Sequence, residues 1–177
     1  MVLGENAASA RMVVHVAKAD VSQLPVDAVV TPSSTPGIMV GTAARGLRVR
    51  GGADIEAEAR AAAPIAVGAA IVTGPGRLFC RHVIHVPVVE QPGEKIGVEN
   101  ARRATRAALV AATAYGFDVI GIPGIGTGIG GLSYEEAARA IVDEVRGYRS
   151  PKPQTIYLVD QDEMMLRAFE DALRQTQ

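Results

Sequence analysis

The 177-residue chain has a single cysteine, Cys80, so no disulfide can form within it, and no spaced thiols are present to build a zinc site. A reduced, cytoplasmic setting is the expectation that follows. Charge of one sign is also lacking: 18 Lys and Arg stand against 19 Asp and Glu, a net charge of -1. That removes the strongly basic face a broad nucleic-acid footprint needs. The clusters Arg45, Arg48, Arg50 and Arg102, Arg103, Arg106 then fit solvated helix faces, with a local phosphate contact as the other use. No apolar stretch reaches the roughly 18 residues of a membrane span, and the opening MVLGENAASARM has no basic-then-apolar signal pattern. What is present is a balance of 48% hydrophobic and 21% charged residues. In a chain of this length it predicts one soluble domain, 1–177, with a sizeable core.

Short apolar runs rich in Val and Ile recur at Val13–Ala17, Ala28–Val30, Ala70–Thr73, Val83–Val89, Val119–Ile122 and Ile156–Val159. Most are continuous rather than alternating, as in strands covered on both faces. Helical patterns separate them. Asp54 is a candidate N-cap for a helix that must end near Pro64. Glu99–Tyr115 carries alanines at helical spacing, with Gly116 placed to close it. Ser133 and Glu136 form a capping box ahead of Ala137, Ala138, Ile141, Val142 and Val145, and Met165, Phe169 and Leu173 mark a last helix. This alternation predicts a three-layer α/β/α domain around a mixed, mostly parallel sheet.

Two loops follow strands and should emerge at the carboxyl edge of the sheet, where open α/β folds bind ligands. The first is Thr31–Thr42; the second is Gly124-Ile125-Gly126-Thr127-Gly128-Ile129-Gly130-Gly131. Both offer backbone N–H groups and hydroxyls without charged side chains, a chemistry suited to an anion. No lysine stands near the second loop, which excludes a Walker A motif. Gly126, Gly128 and Gly131 match G-x-G-x-x-G, but Pro151 stands about where the acidic residue some 20 positions on should be, which argues against a dinucleotide fold. A turn needs one or two glycines. Five in eight residues fit a backbone that must come close to a phosphate or diphosphate.

Elsewhere the polar residues have plain uses. His82 and His85, three apart on a strand, point to opposite faces and make a poor metal pair; they and His15 fit core or surface histidines. Ser33 and Ser34 have no base nearby in sequence, so they fit ligand donors or turn residues better than nucleophiles. Asp20 ends the first strand region, where an acid either caps a turn or accepts a hydrogen bond from an amine or a ribose.

Together these segments resemble a macrodomain, the ADP-ribose-binding module, from about Met12 to Leu173. Ala19-Asp20-Val21-Ser22 stands where the family reads Gly-Asp-Ile-Thr. Val26-Asp27-Ala28-Val29-Val30-Thr31-Pro32-Ser33-Ser34 stands for Val-Asp-Ala-Ile-Val-Asn-Ala-Ala-Asn, and His82-Val83-Ile84-His85 for Tyr-Val-Ile-His. The most specific match is Pro123–Gly131 against Pro-x-Ile-Ser-Thr-Gly-Ile-aromatic-Gly, followed by Ala137-Ala138. The resemblance implies that Asp20 and Val21 hold adenine, that Gly126, Thr127, Gly128 and Ile129 wrap the diphosphate, and that Ser33, Ser34, Gly41, Thr42 and Gly130 lie toward the distal ribose. It implies ADP-ribose or an ADP-ribosylated protein as partner; charge and hydropathy argue against nucleic acid and a membrane, and no metal or cofactor is expected. The helix N-terminus at Ser133 is expected to lie further off.

Departures from the family pattern cluster at the distal ribose. Both asparagines are replaced, by Thr31 and Ser34; the glycine triplet is Val40-Gly41-Thr42; Ala43-Ala44-Arg45 stands where hydrolytic members carry an acid; and Gly130 replaces an aromatic. No aromatic ends the last strand to stack on adenine, Val159 being nearest. No Asp, Glu, His or Lys occurs from Ala28 through Ala53 or from Ile120 through Tyr134, so no catalytic residue is assigned. The expectation is a binder with poor turnover. A hydrolase of ADP-ribosyl or O-acetyl-ADP-ribose groups using a phosphate oxygen, and a binder of another phosphorylated ligand or RNA end, are the alternatives.

Overall fold

Six strands and five helices lie along residues 12–176, the part of the chain that a computed structural model describes. Most of the opening MVLGENAASARM, in which no signal pattern is expected, lies outside these described residues. The strands are β1 (Val13–Lys18), β2 (Ala28–Ser34), β3 (Ile71–Thr73), β4 (His82–Val89), β5 (Val119–Pro123) and β6 (Thr155–Asp160). The helices are α1 (Thr42–Gly51), α2 (Asp54–Ala61), α3 (Val98–Tyr115), α4 (Tyr134–Gly147) and α5 (Glu163–Gln175). One sheet holds all six strands in the order β1-β6-β5-β2-β4-β3. Every pairing is parallel except the antiparallel β3–β4 edge, which gives the expected mixed, mostly parallel sheet.

The continuous apolar runs are explained by cover on both sides. Ala28, Val30, Ile84, Val86, Ile120, Ile122, Ile156 and Leu158 face a core shared with α3, α4 and α5. Val29, Val83 and Val159 face the other way, onto Leu47 of α1, Ile55 of α2 and Val21. On α3 the buried face is built from Ala101, Ala104, Ala108 and Ala112, small enough for the helix to lie close to β4 and α4. Gly116 closes that helix in the left-handed conformation, φ 70°.

The helix starts follow the sequence signals with one correction. Ser133 and Glu136 form the reciprocal capping box at α4. Asp54 is not an N-cap: the cap position is Ala53, which has no side-chain hydrogen bond, and Asp54 is the first helical residue, where its charge suits the dipole instead. Thr31 to Ser34 also differ from expectation. They are not loop but the buried end of β2, paired along β4 as far as Ser34 opposite Val89.

The histidines of β4 do lie on opposite sides. His82 packs at a tilt against Phe117, with centroids 5.1 Å apart, whereas His85 is fully buried and shares a 2.9 Å hydrogen bond through Nε2 with Thr73 Oγ1. Burial lowers the His85 pKa to about 4, against a smaller raising effect from Glu56. Protonation is therefore harder in the folded chain than in the unfolded one. The neutral-histidine stability is complete above pH 6.5 and is lost as pH falls toward 4. Wild-type protein should lose about 2 kcal/mol between pH 7.5 and 5, measured by urea unfolding. His85→Leu should flatten the profile over that window, and an unchanged slope would show that another group is responsible.

Candidate functional site

The sheet itself creates the cleft. Strands β2 and β5 share only two register pairs, Ala28–Ile120 and Val29–Gly121. Beyond them β5 stays with β6 as far as Pro123 opposite Val159, and β2 stays with β4. The two strands part, and the segments that follow them fill the gap. Pro32 fits this arrangement because it has no N–H to offer a neighbour. The cleft lies over the carboxyl ends of β1, β6 and β5 and reaches α1 beyond β2. At about 4.8 Å between strands, four neighbouring ends span about 14 Å, room for a nucleoside with a diphosphate extending from it.

The glycine segment forms one wall. Pro123 ends β5, Gly128–Gly130 makes a single 3₁₀ turn, and Leu132 N–H donates to Gly126 O at 2.9 Å, folding the loop back on itself. The first N–H groups of such a turn have no partner inside it. Most of the glycines answer to protein neighbours rather than to the cleft. A Cβ at Gly124 would stand 2.9 Å from Asp160 Oδ2 and from Met165 Sδ; at Gly126, 2.6 Å from Leu132; at Gly130, 2.7 Å from Ile96. Gly128 is different. Its φ of 68° disfavours a side chain, and the nearest atom to a Cβ there is Thr42 Oγ1 at 4.0 Å, across open cleft.

Of the eleven residues singled out in the sequence, Asp20, Val21, Thr42, Gly126, Thr127 and Gly128 line this cleft together. The other five do not. Ser33 and Ser34 are fully buried, and both hydroxyls donate to Ile38 O, at 3.2 and 3.0 Å. They hold the β2–α1 connection in shape. Gly41 is the N-cap of α1, with φ 95°. Ile129 is 79% exposed and is not part of the lining. Gly130 is covered by Ile96, whose N–H donates to Gly130 O at 2.9 Å. The acid nearest the first connection is Glu56, brought in by α2: it accepts from Met39 N–H at 2.9 Å and from Arg48, so it is engaged in holding the loop.

Sequence reasoning missed a further part of the lining, Tyr134, Asp160, Gln161 and Asp162, which adjoins the glycine segment where Asp160 meets Gly124. A signal for it exists: Asp162 stands just before the periodic Met165 and Phe169, an N-cap pattern, and it does accept from Met164 N–H at 2.9 Å. A cap at the end of β6 must sit on the same edge as the two loops. Tyr134, the first residue of α4, brings the start of that helix to the cleft lining.

This end is rich in carboxylates. Asp20 Oδ1 accepts from Ser22 N–H at 2.9 Å and from Ser22 Oγ at 2.6 Å, capping a short turn, while its Oδ2 stands 3.6 Å from Arg50 Nε. Asp160 accepts from Gly124 N–H at 3.3 Å and from Asp162 N–H at 2.9 Å. Tyr134 donates to Asp162 Oδ2 at 2.6 Å, a bond that holds the carboxyl below its usual range and the phenol above its own. The lining of the β5–α1 end has Thr42, Ala43, Thr127 and main chain, and Lys95 stands beside the glycine loop, its Nζ donating to Ile129 O at 3.2 Å. Cys80 takes no part: it is buried, and burial pushes its thiol up to about 11. Among the described residues no group of three or more His, Cys, Asp and Glu is placed to hold a metal, and no helix is long and apolar enough to cross a membrane.

Comparisons with known proteins agree with this architecture. Residues 30–141 match the family model of the Macro domain. An uncharacterised protein of Aquifex aeolicus is 41% identical over 162 residues, covering 92% of this chain and 98% of its own. A protein of Citrobacter rodentium named O-acetyl-ADP-ribose deacetylase is 30% identical, covering 92% and 96%. The solved Trypanosoma brucei macrodomain in complex with ADP-ribose superimposes with a TM-score of 0.77 at 20% identity, over 90% of this chain and 68% of that one.

Proposed function

The chain belongs to the Macro domain family, and from that membership we propose that its cleft binds ADP-ribose or a related adenine diphosphate nucleotide. One observation carries the proposal: the cleft is electrically divided. Asp20, Asp160 and Asp162 gather at the β1–β6 end, and the β5–α1 end presents Gly126–Gly128 main chain with two threonine hydroxyls. A diphosphate is repelled from the first and suited to the second. An amine-bearing base has the reverse preference. The ligand therefore lies with adenine against Asp20 and Val21 and its diphosphate on the glycine loop, and the distal ribose extends past Thr42. Calorimetric titration with ADP-ribose, ADP and NAD tests this directly. Absence of both heat and thermal shift at millimolar ligand rejects it, and binding of a different phosphate ester or an RNA end under those conditions points to another ligand.

The deacetylase name of the Citrobacter relative favours a second reading, hydrolysis at the distal ribose. Such a reaction needs a positioned water and a group to orient or deprotonate it. At the β5–α1 end the lining includes Thr42, Ala43, Gly46, Gly126, Thr127 and Gly128, none of which takes a proton near neutral pH. Glu56 is already bound to Met39 and Arg48. We expect an ADP-ribosylated protein to be held but scarcely cleaved: release of ADP-ribose from mono-ADP-ribosylated substrate should match a Gly128→Glu control. A rate well above that control makes the protein a hydrolase.

A further inference from the structure

We propose that Tyr134, at the N-terminus of α4, is the aromatic surface on which the base of the bound nucleotide rests. This rests on the cleft being an adenine-nucleotide site. The end of β6 offers Val159, buried and aliphatic, and among the described residues Tyr134 is the only aromatic side chain lining the cleft. Its position is fixed twice. The Ser133–Glu136 capping box sets where α4 begins, and the hydroxyl is tied to Asp162 Oδ2 at 2.6 Å. Asp162 is in turn anchored as the cap of α5 and through its N–H to Asp160, which accepts from Gly124 on the phosphate side. A run of hydrogen bonds thus joins the glycine loop to the tyrosine, so the ring is set before the ligand arrives. Its partners lie at the carboxylate end, where charge sorts the base away from the phosphates. A pre-positioned ring contributes stacking without losing side-chain freedom on binding.

The test uses the absence of tryptophan, which makes tyrosine the intrinsic fluorophore. Tyr115, Tyr148 and Tyr157 lie outside the cleft lining. ADP-ribose should quench tyrosine emission in the wild type. Tyr134→Phe should bind within about threefold of wild type but lose that quenching, and Tyr134→Ala should bind about tenfold or more weakly, the usual effect of removing a stacked aromatic. Wild-type binding with undiminished quenching in Tyr134→Phe overturns the inference and leaves the cleft reading intact, as does Tyr134→Ala within threefold of wild type. A Tyr134→Phe affinity as poor as that of Tyr134→Ala assigns the effect to the Asp162 bond and also overturns it. Failure of the wild type to bind ADP-ribose or ADP at all removes the cleft reading and this inference together. Should Tyr134→Ala not fold, judged by its melting curve, the quenching in Tyr134→Phe decides alone.

Discussion

Gly128→Glu should abolish ADP-ribose binding, a loss of at least about a hundredfold, while the protein stays folded. Two effects combine. The added side chain projects into open cleft, with Thr42 Oγ1 its nearest neighbour at 4.0 Å from the Cβ, so it occupies the volume proposed for the diphosphate. Its carboxylate then sets like charge against the phosphates, which in a partly desolvated site is strongly unfavourable. The folding cost is separate and smaller, about 1–2 kcal/mol for an L-residue held at positive φ. Gly128→Asn separates the two, because Asn tolerates that backbone conformation and carries no charge. It should bind more weakly than wild type but measurably. A Gly128→Glu protein that binds within threefold of wild type would place the phosphates elsewhere.

Asp20→Ala should weaken ADP-ribose binding by about 1–3 kcal/mol, or roughly 5- to 150-fold, the range for losing one charge-assisted hydrogen bond. It should also narrow the preference for ADP over IDP, whose base lacks the exocyclic amine. Oδ1 is already occupied by the N–H and hydroxyl of Ser22, which leaves Oδ2, 3.6 Å from Arg50, as the atom for a ligand amine. Alanine also removes the cap on the following turn, so thermal stability should fall with affinity. Asp20→Asn is the informative companion: its amide oxygen still accepts a hydrogen bond, without the charge. An intermediate affinity is expected for it. Unchanged affinity in Asp20→Ala would remove adenine from this end of the cleft.

Strands were legible because their burial leaves a mark that does not depend on partners. Each run of Val and Ile found in the sequence became a strand. Helix α1 left no such mark. Its buried positions are Ala44, Leu47 and Gly51, two of them too small to read as an apolar stripe, and Gly41 supplies no side-chain cap. The end of β2 was hidden by its composition, since Thr31-Pro32-Ser33-Ser34 has the residues of a turn. What makes it strand is the long ladder to β4, a tertiary fact. For the site, sequence located the edge of the sheet and the glycine loop but assigned to ligand contact two serines that the fold uses internally. Tyr134 and Asp160 carried no local signal, because their place depends on how α4 and β6 meet across the sheet.

The short ladder between β2 and β5 has a mechanical consequence. With two register pairs joining them, the backbone ladder divides into β1-β6-β5 and β2-β4-β3, and past those pairs the halves are held by the cores they share rather than by strand pairing. The proposed ligand lies where the ladder is open, touching the β1-β6-β5 half through Asp20 and the glycine loop and α1, which follows β2 in the chain, through Thr42. Such a ligand acts as a rivet there. At a hundred times its dissociation constant it adds about 2.7 kcal/mol to the folded state. Much of that should be felt as slower local opening where β2 and β5 part.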